Sequence, residues 1–162
     1  MNDEEEVSML TAKDIMCKNP ITVSPSLTVD KLAGILWENR IGGVPVVNES
    51  GELLGVVTES DLIDQAKKVH IPTIITIVDA VFVLEKPGKL EKELKKMVGT
   101  TVNDIFTRDP VWVSEDATVE EVATVMATKK IHTLPVVADG RVVGVIGKGD
   151  LIRIMAQRSQ WH

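Results

Sequence analysis

The 162-residue chain has no tyrosine, two phenylalanines and three tryptophans, an aromatic content of 3%. Its core is therefore expected to be built from Val, Ile, Leu, Ala and Met. A single cysteine, Cys17, excludes an internal disulfide framework and any metal site that needs several thiolates. It suits a reducing compartment. With no base placed beside it, it reads as a small, partly buried side chain rather than a reactive thiol. Positive charge is also short. Lys and Arg number 18 against 24 Asp and Glu, for a net charge of -6, the wrong field for broad binding to nucleic acid or an anionic membrane. A local basic patch from "KLEKELKK" stays open.

Long apolar runs are missing as well. The most apolar stretch, "IPTIITIVDAVFVL", is interrupted by Asp79 and falls short of the ~20 residues of a membrane helix. The opening "MNDEEEVSM" is acidic and has no apolar centre, so no secretory signal is expected there and a cytoplasmic location is. No nucleophile–base pair, metal-ligand cluster or Walker-type phosphate loop is legible, which argues against an enzyme. His70 and His162 have no partners at ligand spacing, and no metal site is expected.

What the chain does have is a duplication. "TAKDIMCKNPITVSPSLTVDKLAGILWENRIGGVPVV" from Thr11 overlays "TVNDIFTRDPVWVSEDATVEEVATVMATKKIHTLPVV" from Thr101 without a gap. One residue is then lost between "NESGELLG" and "ADGRVVG", and the match resumes through "TESDLI" and "GKGDLI". Each copy predicts the same elements. "ITVS" and "VWVS" read as short extended segments, and Thr28 and Thr118 as helix N-caps. Glu121 completes a capping box in the second copy, whereas Lys31 cannot do so in the first. Val29, Leu32, Ala33 and Leu36, like Val119, Val122, Ala123 and Met126, fall on one helical face. Two strands joined by a Gly-containing turn follow, then a final helix.

The predicted unit is β-α-β-β-α, and the predicted fold an α/β (α+β) pair of tandem repeats related by a pseudo-twofold axis. One such unit leaves an apolar sheet face open; two bury it against each other. The predicted organisation is an acidic tail over 1–9, repeat one over 10–66, an apolar and helical linker over 67–99, repeat two over 100–157 and a tail over 158–162. The 70–84 part of the linker leans to helix, although its β-branched content pulls toward strand. It reads equally as extra core or as a homodimer surface.

The spacing Gly-x-x-Pro-Val-Val, Gly turn, Gly-Val-Val-Thr-x-x-Asp-Leu-Ile resembles the CBS (cystathionine β-synthase) domain, and two in tandem resemble a Bateman module. The resemblance covers about Leu10–Ala66 and Thr100–Gln157. It implies homodimers, and adenosine-containing ligands bound in the clefts between units. Residue by residue it implies that Asp61 and Asp150 accept the ribose hydroxyls, a task suited to a carboxylate with two oxygens. Thr58 matches the hydroxyl that bonds phosphate beside a helix N-terminus.

The second copy differs at that point. Gly147 replaces the hydroxyl and, with Gly149, allows close backbone approach. Lys148 adds a cation, though it reads equally as a solvated loop lysine. His132 matches a phosphate-binding position of nucleotide-sensing relatives and reads equally as structural; histidine there would strengthen anion binding in acid. The implied adenine pockets are Thr11, Asp14, Met16, Ile41, Gly42 and Gly43 in the first copy, and Thr101, Asp104, Phe106, Ile131, His132 and Thr133 in the second. Ile41 and Ile131 would sandwich the base. Trp112 reads as packing beside that pocket.

These features imply a non-enzymatic sensor of AMP, ADP or ATP that acts through an unknown effector protein, with two inequivalent clefts. S-adenosylmethionine is the alternative ligand, and a structural or assembly module with degenerate pockets the alternative class. No membrane attachment is expected, and nucleic acid is disfavoured.

Overall fold

The structure, a computed structural model, describes residues 10–68 and 99–159. The first repeat contributes α1 (Ala12–Ile15), β1 (Cys17–Lys18), α2 (Val29–Asn39), β2 (Gly43–Val47), β3 (Leu53–Thr58) and α3 (Glu59–Lys68). The second contributes α4 (Val102–Ile105), β4 (Thr107–Arg108), β5 (Val113–Ser114), α5 (Val119–Lys129), β6 (Thr133–Ala138), β7 (Arg141–Gly147) and α6 (Lys148–Ser159). The two halves form a tandem pair around a pseudo-twofold axis. Its position is marked by Gly43 and Thr133, equivalent residues so close that a Cβ on Gly43 would meet the Thr133 hydroxyl at 2.8 Å.

Each half is built on an antiparallel hairpin, because alternating Val and Leu residues must put one face inward. In the first, β2 pairs with β3 from Gly43–Thr58 to Val47–Leu53. In the second, β6 pairs with β7 from Thr133–Gly147 to Ala138–Arg141. The shorter second turn closes on Asp139 and Gly140, both at positive φ (52° and 76°), as a two-residue hairpin turn requires. The first turn holds one residue more. There the Asn48 carboxamide oxygen accepts the Ser50 and Glu52 N–H groups, each at 3.0 Å, and Gly51 takes the positive φ of 81°. This accounts for the single gap between the copies.

The opening segments are exchanged. Strand β1 of the first repeat joins the second half's sheet, in the order β1-β7-β6-β5, while β4 of the second repeat joins the first half's sheet, β2-β3-β4. Backbone bonds fix the exchange symmetrically. Ala12 N–H donates to the Ala117 carbonyl at 2.7 Å, and Val102 N–H to the Leu27 carbonyl at 2.8 Å. The cores follow suit. Ala12 and Ile15 pack with Val122, Met126, Leu134, Val136 and Ile146, whereas Val102 and Phe106 pack with Leu32, Leu36, Val44, Val46 and Val57.

The long helices start and stop as the residues dictate. Thr118 Oγ1 accepts the Glu121 N–H at 3.1 Å and Glu121 accepts the Thr118 N–H at 2.8 Å, closing the expected box. Thr28 makes no side-chain cap bond. Both helices end on a basic residue at positive φ, Arg40 (53°) and Lys130 (54°), which favours the negative helix terminus.

Several expectations are corrected. "ITVS" pairs only at Val23, by an isolated parallel bridge to Val46, and the Ser24 hydroxyl bonds Ser26 just after it. The one-turn helices α1 and α4 and the short strands β1 and β4 add to the predicted unit. The core includes an aromatic, Phe106, 8% exposed. Cys17 is exposed rather than partly buried, since β1 lies on a sheet edge. The reading of the linker falls outside the described residues.

Candidate functional site

A cleft of about 1460 Å³ runs between the halves. It is positioned by the entries to β2 and β6, the exits of β3 and β7, the first turns of α3 and α6, and the stretch after β4 delivered by the exchange. Thr58, Asp61, Ile41, Gly42 and Gly43 of the first half line it together with Gly147, Lys148, Ile131, His132 and Thr133 of the second. The sequence therefore assembled ten residues that the fold brings to one place.

In the first half, the Glu59 N–H donates to the Gly42 carbonyl at 2.9 Å, tying strand entry to helix start. Asp61 turns back on this helix: its Oδ2 accepts the Thr58 N–H at 2.8 Å and the Thr58 hydroxyl at 3.1 Å. The carboxylate and hydroxyl are thus fixed side by side at a helix N-terminus, where backbone donors favour anions.

The second half keeps the backbone part alone. Gly147 N–H donates to Asp150 Oδ2 at 2.8 Å, and there is no hydroxyl to add. Asp150 is not on the cleft lining; its side chain, 19% exposed, faces Arg153. Lys148 takes the place of Glu59, and His132 that of Gly42, so the second half presents a lysine and a histidine where the first presents an acid and a glycine.

The opening segments land elsewhere than the sequence grouped them. Thr11 bridges Thr118 and Met16 packs on the second half's core, while Thr101 bridges Thr28 and Phe106 packs in the first half's core. Thr11, Asp14, Met16, Thr101, Asp104 and Phe106 are all off the cleft lining. Asp14 Oδ2 accepts the Thr11 N–H (2.8 Å) and hydroxyl (2.9 Å), and Asp104 does the same for Thr101 at 2.9 and 3.2 Å. These carboxylates cap one-turn helices. The Thr11 backbone N–H, and then its hydroxyl, hold the Asp14 carboxyl below its ordinary value. Met16 fills the space over Gly144, and Phe106 that over Gly55. The Arg108 guanidinium lies 4.5 Å from the Phe106 ring centre. Trp112 is half exposed and off the lining, whereas Trp37, 84% exposed, is on it.

Sequence reasoning passed over Glu59, Trp37 and the cleft stretch from Thr107 to Val111. The charge reversals Glu59 to Lys148 and Asp64 to Arg153 were visible in the repeat alignment. Among the described residues, no group of His, Cys, Asp and Glu is placed to hold a metal ion. Nor is any of their helices long and apolar enough to cross a membrane.

Duplicated hairpin-and-helix halves, locked by exchanged strands around a shared cleft, define a tandem-repeat α/β module. The chain belongs to the CBS-domain family, whose model matches residues 12–68 and 102–157. It is 30% identical to the uncharacterized protein MJ1426 of Methanocaldococcus jannaschii, over 96% of this chain and 95% of that one. It is 33% identical to the chloroplastic CBSX1 of Arabidopsis thaliana, over 83% of this chain and 58% of the relative. The crystal structure of CBSX2 in complex with AMP superposes with a TM-score of 0.69 at 28% identity, covering 92% of this chain and 98% of that one. The CBS domain pair of protein MJ0100, in complex with 5′-methylthioadenosine and S-adenosyl-L-methionine, superposes with a TM-score of 0.69 at 28% identity. That match covers 93% of this chain and 98% of that one.

Proposed function

We propose that this chain is a non-enzymatic regulatory module that binds an adenine nucleotide, AMP, ADP or ATP, and passes its ligand state to a partner protein. The observation that carries the reading is the Thr58–Asp61 pair at the mouth of α3, lining the cleft. Asp61 accepts the ribose hydroxyls, Thr58 turns its one hydroxyl proton from Asp61 to phosphate, and Ile41 and Ile131 enclose the base. In the second half, Lys148 and His132, with Gly147 allowing close approach, meet the phosphates of a second nucleotide. The AMP held by CBSX2 and the adenosine compounds held by MJ0100 support this ligand class.

The second reading, S-adenosylmethionine, is favoured by the MJ0100 relationship, but leaves Lys148 and His132 without a phosphate to meet. The module works as a cytoplasmic homodimer. Ile63 on α3, and Ile152 and Met155 on α6, stand 58%, 61% and 64% exposed and supply its apolar contact. A ligand changes the angle between halves only if it binds one arrangement better.

Calorimetry and thermal shift with AMP, ADP, ATP, S-adenosylmethionine and a GTP control test the reading. Ligand at about 100 times its Kd adds about 2.7 kcal/mol of stability. Asp61→Ala is expected to weaken adenine-nucleotide binding about tenfold or more, the size of a hydrogen bond to a charged group. A response to S-adenosylmethionine alone replaces the ligand. No response to any of them leaves an assembly module.

A further inference from the structure

The two aspartates that match the ribose position are not equally available. Asp61 engages its own helix through Oδ2, and among the described residues nothing takes Oδ1. Asp150 has both oxygens taken. Gly147 N–H donates to Oδ2 at 2.8 Å, and Arg153 Nη2 lies 3.1 Å from Oδ1. The same guanidinium nitrogen donates to the Ile15 carbonyl at 3.3 Å. One arginine therefore joins the start of α6 to the last residue of α1, the exchanged segment. In the first half Asp64 stands at this position and pairs instead with Lys67, at 3.6 Å on the exposed face of α3. A carboxylate cannot reproduce the contact to a carbonyl or to Asp61, so the first half has no counterpart.

We propose that Arg153 is a latch: by holding Asp150 away from the cleft lining, it makes the second half's matching carboxylate the weaker diol acceptor of the two and couples its filling to the opening segment. The proposal rests on the adenosine reading above for its ligand, but not for the tether. A vicinal diol that occupies both carboxylate oxygens displaces the guanidinium from Oδ1, and the Ile15 carbonyl loses its donor at the same moment. The Arg153 side chain is 55% exposed, so water can take over its hydrogen bonds and displacement stays within reach of a small ligand. Binding in the first half disturbs no such tie. Occupancy is consequently ordered, first half before second, and only the second event loosens α1. Arg153 acts through Asp150 and is a positioning residue.

The test has two arms. In an Asp61→Asn background, AMP binding by calorimetry reports the second half alone. Arg153→Gln is expected to tighten it about threefold to fivefold, the equivalent of a half-exposed ion pair, and to change nothing once Asp150→Asn is added. Weaker binding would make Arg153 a ligand contact and overturn the latch; unchanged binding overturns it equally.

The second arm is hydrogen exchange of the Met16–Lys18 amides without ligand. Arg153→Gln is expected to speed their exchange severalfold while leaving the Phe106–Arg108 amides unchanged. Equal exchange in both proteins removes the tether. If no adenosine compound binds the unmodified chain, the reading of the cleft fails, and ligand-free exchange still decides whether Arg153 ties Ile15 to α6.

Discussion

The first half meets the cleft with Gly42, Thr58 and Glu59; the second meets it with His132, Gly147 and Lys148. The backbones that carry these sets are near copies, down to the positive φ at Arg40 and Lys130 and at Asn19 and Asp109. What the halves share is what packing and capping demand: Val and Leu facing inward, Pro45 and Pro135 in their strands, Gly55 and Gly144 under the exchanged segment. Where they part, the side chain is free to serve a ligand. Duplication fixed the scaffold, and a handful of polar exchanges made its two faces chemically distinct.

The sharpest way to break the equivalence is at the paired glycines. A Cβ on Gly55 would run into the Thr107 carbonyl and the Phe106 ring, whereas the nearest atoms to one on Gly144 belong to the Met16 side chain. Overpacking against backbone and a rigid ring cannot relax, while methionine can move aside. Gly55→Ala is expected to destabilise by about 3 kcal/mol and Gly144→Ala by about 1 kcal/mol, read from urea midpoints at constant slope. Equal losses would mean that the two seams are packed alike.

Charge supplies the next contrast. Lys148→Glu gives the second half the acid of the first. It is expected to weaken ATP binding about threefold to tenfold at low salt and less at high salt, with little effect on adenosine. An adenosine effect of the same size would place Lys148 away from phosphate.

Capping offers a way to make the halves more alike. Lys31→Glu supplies the residue that Glu121 provides at α5, and is expected to raise stability by about 0.5–1 kcal/mol. The double variant Thr28→Ala, Lys31→Glu should lose that gain.

The smallest effect lies in acid. Because the folded pKa of Asp14 is held below the ordinary 3.8 by Thr11, its contribution is present above that value and fades as pH falls through the depressed pKa. The melting-temperature gap between the native chain and Asp14→Asn is expected to close below about pH 4. A gap that persists there would mean that the charge of Asp14 is irrelevant.

Much of this was legible in the residues, for stated reasons. The in-register repeat gave the β-α-β-β-α unit, and Thr118 with Glu121 gave one helix start to the residue. The family resemblance carried by Gly-x-x-Pro-Val-Val and Thr-x-x-Asp implied the cleft positions, and Ile41, Gly42, Gly43, Thr58 and Asp61 do line it. The exchange of β1 and β4 was not legible. It rests on pairing across the whole chain, Cys17 with Val145 and Gly55 with Arg108, and two-residue strands leave no periodicity to read. That is why Met16 and Phe106 were grouped with the wrong halves. Asp14 and Asp104 look like ligand carboxylates in sequence because capping and ligand binding ask for the same group. Arg153 was hidden for a related reason: a half-exposed arginine declares its partners only when a distant carbonyl, that of Ile15, is folded against it.

The crossed strands have a mechanical consequence. A domain joined ahead of Leu10 is moored to the half that comes later in the chain, and whatever leads into Thr100 is moored to the half that came before. Any hinge motion between the halves is therefore delivered crosswise, like the blades of scissors, to the handle that belongs to the other half.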